Sequence, residues 1–330
     1  MRQIIHAKPY PNVLSTVGNT PLVRLQKVAS AVQSEIYAKL EYFNPAGSVK
    51  DRIGLTIIDS AEKSGALKPG GTIVEATSGN TGMGLAMVAA VKGYRTICVM
   101  PDKVSHEKVR NLEAFGAKVV LAPTNVSPED PNSYYKVAER LVRETPNSFY
   151  ANQYHNPDNP RAHYETTGPE IWEQMERRVD AFVAGMGTGG TISGTGQFLK
   201  EKNPAIKIVG VDPIGSIYYD YFKTGKMPHP RQYDIEGIGE DFLPSTMNLK
   251  ILDEIVQVDD QSSFTMTRNL LRWEGIFAGG SSGTAVYGAI EYAKKLRKPQ
   301  RIVVLIPDSG DRYLSKVYDD EWLKSKGYKI

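Results

Sequence analysis

The sequence predicts an α/β protein of two lobes, each built on a mostly parallel, twisted sheet flanked by helices. Short apolar runs rich in β-branched residues alternate with helical patterns, and this alternation indicates βαβ units and a parallel sheet. The runs are continuously apolar, as in sheets that are buried on both faces. The chain has 330 residues, enough for two lobes with a sizeable core.

The strands and helices follow one another in a regular order. Helical patterns predict helices that include residues 51–64, 78–91 and 106–115. Apolar runs predict strands at residues 72–76, 96–101, 117–122, 181–185, 206–212 and 301–308.

A polar stretch rich in Pro and Asn, residues 123–160, separates two clusters of these units. We therefore expect a smaller, mobile lobe at residues 46–151, and a larger lobe made of residues 1–45 and 152–330. In open α/β sheets the ligand binds beyond the carboxyl ends of the strands. The loops that leave the strands, near the cleft between the lobes, are the candidate site.

Composition excludes several classes of protein. The 40 basic and 37 acidic residues leave a net charge of +3, which gives no reason to expect a nucleic-acid or membrane partner. No apolar run has the length of a signal peptide or a membrane span. The single cysteine, Cys98, lies in an apolar run and reads as a core residue, and it fits a reducing, cytoplasmic compartment. The five histidines show no metal-ligand spacing, so no metal site is expected.

Two glycine- and hydroxyl-rich loops are candidate anion sites. Residues 187–191 follow a predicted strand and open a helix, where backbone N–H groups can approach a phosphate. Glycines that merely pack a helix on a sheet are the alternative, and the full dinucleotide fingerprint is absent. In residues 75–84, Thr77, Ser78, Asn80 and Thr81 suit a carboxylate, although a helix N-cap uses the same residue types.

Lys50 follows a turn and precedes a predicted helix. The helix dipole disfavours a cation at that position and favours the lowered pKa that a Schiff-base lysine needs. A solvated surface lysine is the alternative. Two further loops, residues 277–285 and 306–314, also leave strand-like runs, and spacing alone does not decide whether their polar residues are structural or catalytic.

Four segments, NPAGSVKDR, TSGNTG, GTGGT and GGSSG, in this order and at these distances resemble the fold-type II (tryptophan synthase β-like) pyridoxal-phosphate enzymes of the cysteine synthase and cystathionine β-synthase family. The resemblance covers nearly the whole chain. It implies pyridoxal 5′-phosphate (PLP) as cofactor, held on Lys50 as a Schiff base, with Asn80 at its 3′ oxygen and Ser281 at its pyridine nitrogen. The remaining implied contacts are the phosphate loop, Gly187, Thr188, Gly189, Gly190 and Thr191, and the substrate residues, Thr77, Ser78, Gly79, Thr81, Gln153, Tyr154 and Gly237.

The family implies β-replacement on serine or O-acetylserine by a thiol, in a lyase or transferase reaction of amino-acid biosynthesis. Several segments are most similar to the cystathionine β-synthase branch, which joins homocysteine in transsulfuration; the alternative is cysteine synthase chemistry with sulfide. O-phosphoserine as first substrate stays open. A non-catalytic PLP-binding partner protein and a nicotinamide dehydrogenase are more remote alternatives. The family also implies a homodimer.

The sequence departs from the family at the cleft mouth. Animal members carry Tyr where this chain has Glu240, and a carboxylate there could favour a second substrate with a free amino group. We also expect neither a haem-binding extension nor a C-terminal regulatory module. Because a serine cannot keep the pyridine nitrogen protonated as a carboxylate would, the cofactor is expected to favour direct β-elimination.

Overall fold

The computed structural model describes residues 9–127 and 129–330. Within these residues ten strands form a six-stranded sheet in the order β1-β2-β10-β7-β8-β9 and a four-stranded sheet in the order β5-β4-β3-β6. The strands are β1 Leu22–Arg24, β2 Glu35–Leu40, β3 Thr72–Ala76, β4 Arg95–Pro101, β5 Lys118–Ala122, β6 Ser148–Tyr150, β7 Ala181–Gly185, β8 Lys207–Pro213, β9 Glu254–Val258 and β10 Arg301–Ile306.

Helices cover both sheets and connect their parallel strands. The α-helices are α1 Lys50–Ser64, α2 Asn80–Lys92, α3 His106–Ala114, α4 Tyr134–Glu144, α5 Asp158–Ala162, α6 Gly168–Gln174, α7 Gly190–Lys202, α8 Tyr218–Thr224, α9 Asp260–Asn269, α10 Gly280–Lys294 and α11 Asp320–Ser325. The predicted fold class is confirmed, because both sheets are mostly parallel and flanked by helices. None of the helices in the described ranges is long and apolar enough to span a membrane.

The larger sheet is parallel except where β1 pairs antiparallel with β2. Its central strand β10 lies between β2 and β7, and apolar residues from its two faces enter two different hydrophobic clusters. One cluster packs under α10 and the other under α7. This burial on both faces explains why the strand sequence is continuously apolar.

The smaller sheet is wholly parallel. Strand β3 is buried along its whole length, and α2, the helix that follows it, buries residues on almost every side. Cys98 is fully buried in β4, and burial raises the pKa of its thiol. The prediction of a core cysteine is confirmed.

Some predicted boundaries are wrong. Residues 123–160 are more than a connector, because α4 and the edge strand β6 lie within them and belong to the smaller sheet. Helix α2 begins at Asn80, two residues later than predicted, because Gly79 has a φ of 130° that is not helical. Strands β1, β2, β6 and β9 were not predicted. The lobe boundaries at residues 46 and 151, and the mobility of the smaller lobe, stay predictions.

Candidate active site

Lys50 is held at the exit of the central strand of the larger sheet. The residue before it, Val49, donates its backbone N–H to the carbonyl of Pro307 at 2.8 Å, and Ser48 forms an isolated antiparallel bridge with Asp308. Lys50 then begins α1. The first turn of a helix from the smaller lobe is thereby fixed to the carboxyl end of β10, where α/β sheets bind ligands.

The environment of Lys50 lowers its pKa from 10.5 to about 8. Burial is the largest cause, because it penalises the charged ammonium, and the carboxylates of Asp308 and Glu240 oppose it. The lowered pKa agrees with the prediction, but its largest cause is burial and not the helix dipole that the sequence suggested. An amine with this pKa is partly neutral near pH 7 and can act as a nucleophile or a base.

Asp308 connects three loops of the site. Its Oδ2 accepts hydrogen bonds from Asn80 Nδ2 at 2.8 Å and from the Tyr313 hydroxyl at 2.6 Å. A Cβ added to Gly279, the residue before α10, would lie 2.3 Å from Asp308 Oδ1, so the N-terminus of α10 approaches the same carboxylate. The other oxygen, Oδ1, is buried and has no hydrogen-bond partner among the described residues.

Arg312 completes this cluster, and neither it nor Asp308 was assigned a role from the sequence. Its guanidinium donates to Asn80 Oδ1 and to the carbonyl of Ala46, in the turn before Lys50. The side chain is 3% exposed. The sequence did contain one sign of their role. Both residues lie in the loop that leaves a buried parallel strand, which is the usual place of functional residues in this fold class.

The hydroxyl groups of the loop before α2 have distinct positions. Thr77 Oγ1 accepts from the N–H of Gly79 at 2.9 Å. Thr81 donates to Gln153 Oε1 at 2.6 Å. Ser78 is partly buried, and its side chain makes no hydrogen bond with the described residues. Thr77 Oγ1 also accepts from the N–H of Gly82, in the first turn of α2, at 3.4 Å. A capping role therefore accounts for Thr77 but not for Ser78, and a carboxylate ligand stays the better interpretation of the cluster.

Gln153 and Asn159 join this loop to the glycine-rich loop before α7. Gln153 Nε2 donates to the carbonyl of Ala76 at 3.1 Å. Asn159 Nδ2 lies 2.8 Å from the carbonyl of Gln153 and 3.0 Å from Thr188 Oγ1. The two loops that suit anions are therefore linked by two buried amide side chains.

The glycines before and at the start of α7 permit close packing. Gly189 has a φ of 86°, and a Cβ on it would lie 2.7 Å from the backbone of Met247. A Cβ on Gly190 would lie 1.8 Å from Asn159 Oδ1. Thr191 Oγ1 lies 3.2 Å from His163 Nε2. Burial holds the pKa of His163 well below its ordinary value, so this ring is neutral at pH 7.

The start of α10 contributes Ser281. It is the second residue of the helix and is 3% exposed. Two residues earlier, Gly279 donates its backbone N–H to the carbonyl of Asp308 at 3.2 Å. The start of α10 is therefore attached to the residue whose carboxylate binds Asn80.

The cleft mouth contains Tyr154 and Gly237. Tyr154 is 6% exposed, and its hydroxyl lies 3.0 Å from that of Tyr134. A Cβ on Gly187 would lie 3.0 Å from the carbonyl of Gly237, so the mouth loop packs on the glycine-rich loop. A Cβ added to Gly237 itself would have no other atom within 4 Å.

These residues fit PLP. An added Cβ at Gly189 or Gly190 would clash with neighbouring atoms, so the start of α7 carries no side chain there, and the free N–H groups at this N-terminus suit a phosphate. Lys50 has the lowered pKa that an attack on an aldehyde requires. Hydrogen bonds connect several of the predicted residues to one another or to shared neighbours; the contacts with cofactor and substrate assigned to them stay predictions.

Comparisons with known proteins agree with this geometry. The family model described as pyridoxal-phosphate dependent enzyme matches residues 13–308. Cystathionine beta-synthase of Apis mellifera is 46% identical over 98% of this chain and 64% of its own length. Cystathionine beta-synthase of Mus musculus is 47% identical over 97% of this chain and 57% of its own length. The chain thus spans somewhat less than two thirds of these relatives.

Solved structures give full-length matches. A hydrogen sulfide-producing enzyme from Fusobacterium nucleatum is 38% identical with a TM-score of 0.86, covering 93% of this chain and 100% of that chain. An O-ureido-L-serine synthase is 37% identical with a TM-score of 0.86, covering 96% and 100%. Since the family model matches residues 13–308, which is most of the chain, this protein belongs to the family of pyridoxal-phosphate-dependent enzymes.

Proposed function

We propose that this enzyme catalyses β-replacement on serine or O-acetylserine, with homocysteine as the thiol and cystathionine as the product. The observation that carries the proposal is a lysine amine of lowered pKa at the carboxyl end of the larger sheet, in a structure that links the hydroxyl-rich loop before α2 to the glycine-rich loop before α7. The similarity to cystathionine beta-synthases over nearly the whole chain supports the choice of thiol.

When bound, PLP supplies an electron-withdrawing ring that acidifies the α-carbon of an attached amino acid. Gly187, Thr188, Gly189, Gly190 and Thr191 would hold its phosphate, and Asn80 and Ser281 would contact its ring. Lys50 would hold it before the substrate arrives. Once released, the Lys50 amine would remove the α-proton and later return it, because it lies beside the same carbon.

The loop before α2 would bind the substrate carboxylate. In the proposed complex the hydroxyls of Thr77 and Ser78 and the backbone N–H of Thr81 donate to it, beside Gly79. Gln153 fixes the Thr81 hydroxyl, from which it accepts a hydrogen bond at 2.6 Å. We propose that residues 46–151 move as a unit when the carboxylate binds. This closure would exclude water and protect a reactive intermediate from hydrolysis.

Sulfide is the second candidate thiol. The hydrogen sulfide-producing enzyme from Fusobacterium nucleatum has nearly the same fold over its full length, and sulfide release is the reverse of sulfide addition. In that case the product would be cysteine.

A paired assay separates the two thiols. Purified, PLP-loaded protein is given O-acetylserine with homocysteine in one arm and with sulfide in the other. The two arms are compared by kcat/KM for the thiol, because this ratio measures discrimination between substrates. We expect the higher value for homocysteine. A higher ratio for sulfide would indicate a cysteine synthase. A protein that releases pyruvate but joins neither thiol would contradict both functions.

The pKa of Lys50 predicts how the apoenzyme takes up PLP. Only the neutral amine attacks an aldehyde, and its pKa is lowered from 10.5 to about 8. The rate of reconstitution should therefore rise about tenfold per pH unit below pH ~7 and level off above pH ~9. Stopped-flow absorbance measures this rate. A rate that continues to rise to pH ~10 would show that Lys50 has an ordinary pKa.

We also propose that the enzyme is a cytoplasmic homodimer. The buried single cysteine supports a reducing compartment, and the family resemblance supports the dimer. Light scattering on the purified holoenzyme tests the oligomeric state, and a monomeric mass would contradict it.

A further inference from the structure

Glu240 is held rigidly beside the glycine-rich loop, residues 187–191. Gly239 donates its N–H to the carbonyl of Met186 at 2.6 Å. Glu240 donates its own N–H to Ser216 Oγ at 3.1 Å, and its carbonyl accepts from the N–H of Ile217 at 3.2 Å. The backbone is thus fixed from both sides, and the position of the side chain does not depend on a flexible loop.

The surroundings of Glu240 are aromatic. Two residues further, Phe242 packs against Tyr135 and Tyr154 with ring centroids 5.3 Å apart, and these three rings line a cavity of about 200 Å³. Burial, with the negative charge of Glu240 as a further cause, raises the pKa of each of five tyrosines well above 10: Tyr134, Tyr135, Tyr154, Tyr218 and Tyr233. The chain next to Glu240 therefore forms part of an aromatic wall of this cavity.

The Glu240 carboxylate has no partner of its own. Among residues 9–127 and 129–330 no side chain forms a hydrogen bond or an ion pair with it. Glu236, four residues earlier, pairs with Lys108 at 2.6 Å and Lys316 at 3.4 Å. Glu240 is partly buried, and a partly buried carboxylate without a cation is unfavourable. Burial is the largest cause that raises its pKa well above 4.5, and the charge of Asp241 adds to it, while the charges of Lys50 and Lys103 oppose it.

We propose that the Glu240 carboxylate binds the ammonium group of the incoming thiol substrate and thereby selects aminothiols over sulfide. The inference rests on the proposed β-replacement and specifies the class of its second substrate. An ammonium group supplies the missing cation, and bringing it in restores the ionised carboxylate. The cavity lined by Tyr135, Tyr154 and Phe242 begins two residues along the chain from Glu240 and has room for the carbon chain of such a thiol.

The test compares thiols that differ in charge, using Glu240→Gln, which keeps the shape of the side chain. With O-acetylserine as first substrate, kcat/KM is measured for homocysteine, cysteamine, 2-mercaptoethanol and sulfide. A charge-assisted hydrogen bond predicts a fall of ~10- to 100-fold for the two aminothiols. The values for 2-mercaptoethanol and sulfide should stay within about threefold of the unmodified enzyme, since neither carries an ammonium group.

Asp241→Asn is the matched control, because it removes an exposed carboxylate one residue away. It should change the preference for aminothiols by less than about threefold. Glu240→Ala repeats the test if the glutamine variant is unstable, and turnover of 2-mercaptoethanol shows that each variant is folded.

The outcomes separate the two hypotheses. Equal losses for all four thiols, or an unchanged preference in Glu240→Gln, would overturn the role of Glu240 while the β-replacement stands. An unmodified enzyme that uses none of the thiols would overturn the proposed function, and the inference with it.

Discussion

Replacing Lys50 by alanine is expected to abolish turnover and to remove the covalent link between the protein and PLP. The amine serves both as the attachment point and as the base, and loss of acid–base catalysis alone costs on the order of 10²–10⁴-fold in rate. The measurements are steady-state kinetics with O-acetylserine and a thiol, and mass spectrometry of the protein after borohydride reduction. The variant should gain no PLP-sized mass on a lysine.

Lys63→Ala is the control for this experiment. Lys63 lies near the end of the same helix and is exposed, so its loss should leave both turnover and the reduced adduct intact. A small amine such as ethylamine, added to Lys50→Ala, should restore part of the activity because it can occupy the space of the lost side chain. A borohydride-fixed adduct in Lys50→Ala would show that another lysine holds the cofactor.

Replacing Gly190 by alanine is expected to weaken PLP binding by ~10- to 100-fold, the range that corresponds to the cost of overpacking a buried site. The new Cβ would lie 1.8 Å from Asn159 Oδ1. Asn159 is fully buried and contacts both Gln153 and Thr188, so it cannot move aside without breaking the link between the two loops. Fluorescence titration of the apoenzyme with PLP measures the change in Kd.

Gly196→Ala is the matched variant in the same helix. Its Cβ would meet the end of the Ile251 side chain at 2.9 Å, and a flexible side chain can shift by this amount. The gain in helix propensity from glycine to alanine, about 1 kcal/mol, acts in the opposite direction. The Kd for PLP should then stay close to that of the unmodified protein. Wild-type affinity in Gly190→Ala would contradict the phosphate-loop assignment.

Local sequence carried enough information for the fold class and for the loops of the site. The strands β3, β4, β5, β7, β8 and β10 were predicted within a few residues, because buried parallel strands have continuously apolar sequences. Strands β1, β2, β6 and β9 were missed. Strands β1, β6 and β9 lie at sheet edges, and β1 and β6 have only three residues each. Strand β2 is an interior strand of six residues, but Glu35 and Lys39 interrupt its apolar sequence.

The sequence by itself determined that a helix follows the turn next to Lys50, that glycines precede α7 and that hydroxyl residues precede α2. These are properties of neighbouring residues, and turn and capping chemistry acts over a few positions. Only the tertiary structure decided which groups meet. Asn80 and Asp308 are 228 residues apart along the chain, and Thr81 and Gln153 are 72 residues apart. Burial is also a property of the packed chain. The sequence therefore could not show that burial lowers the pKa of Lys50.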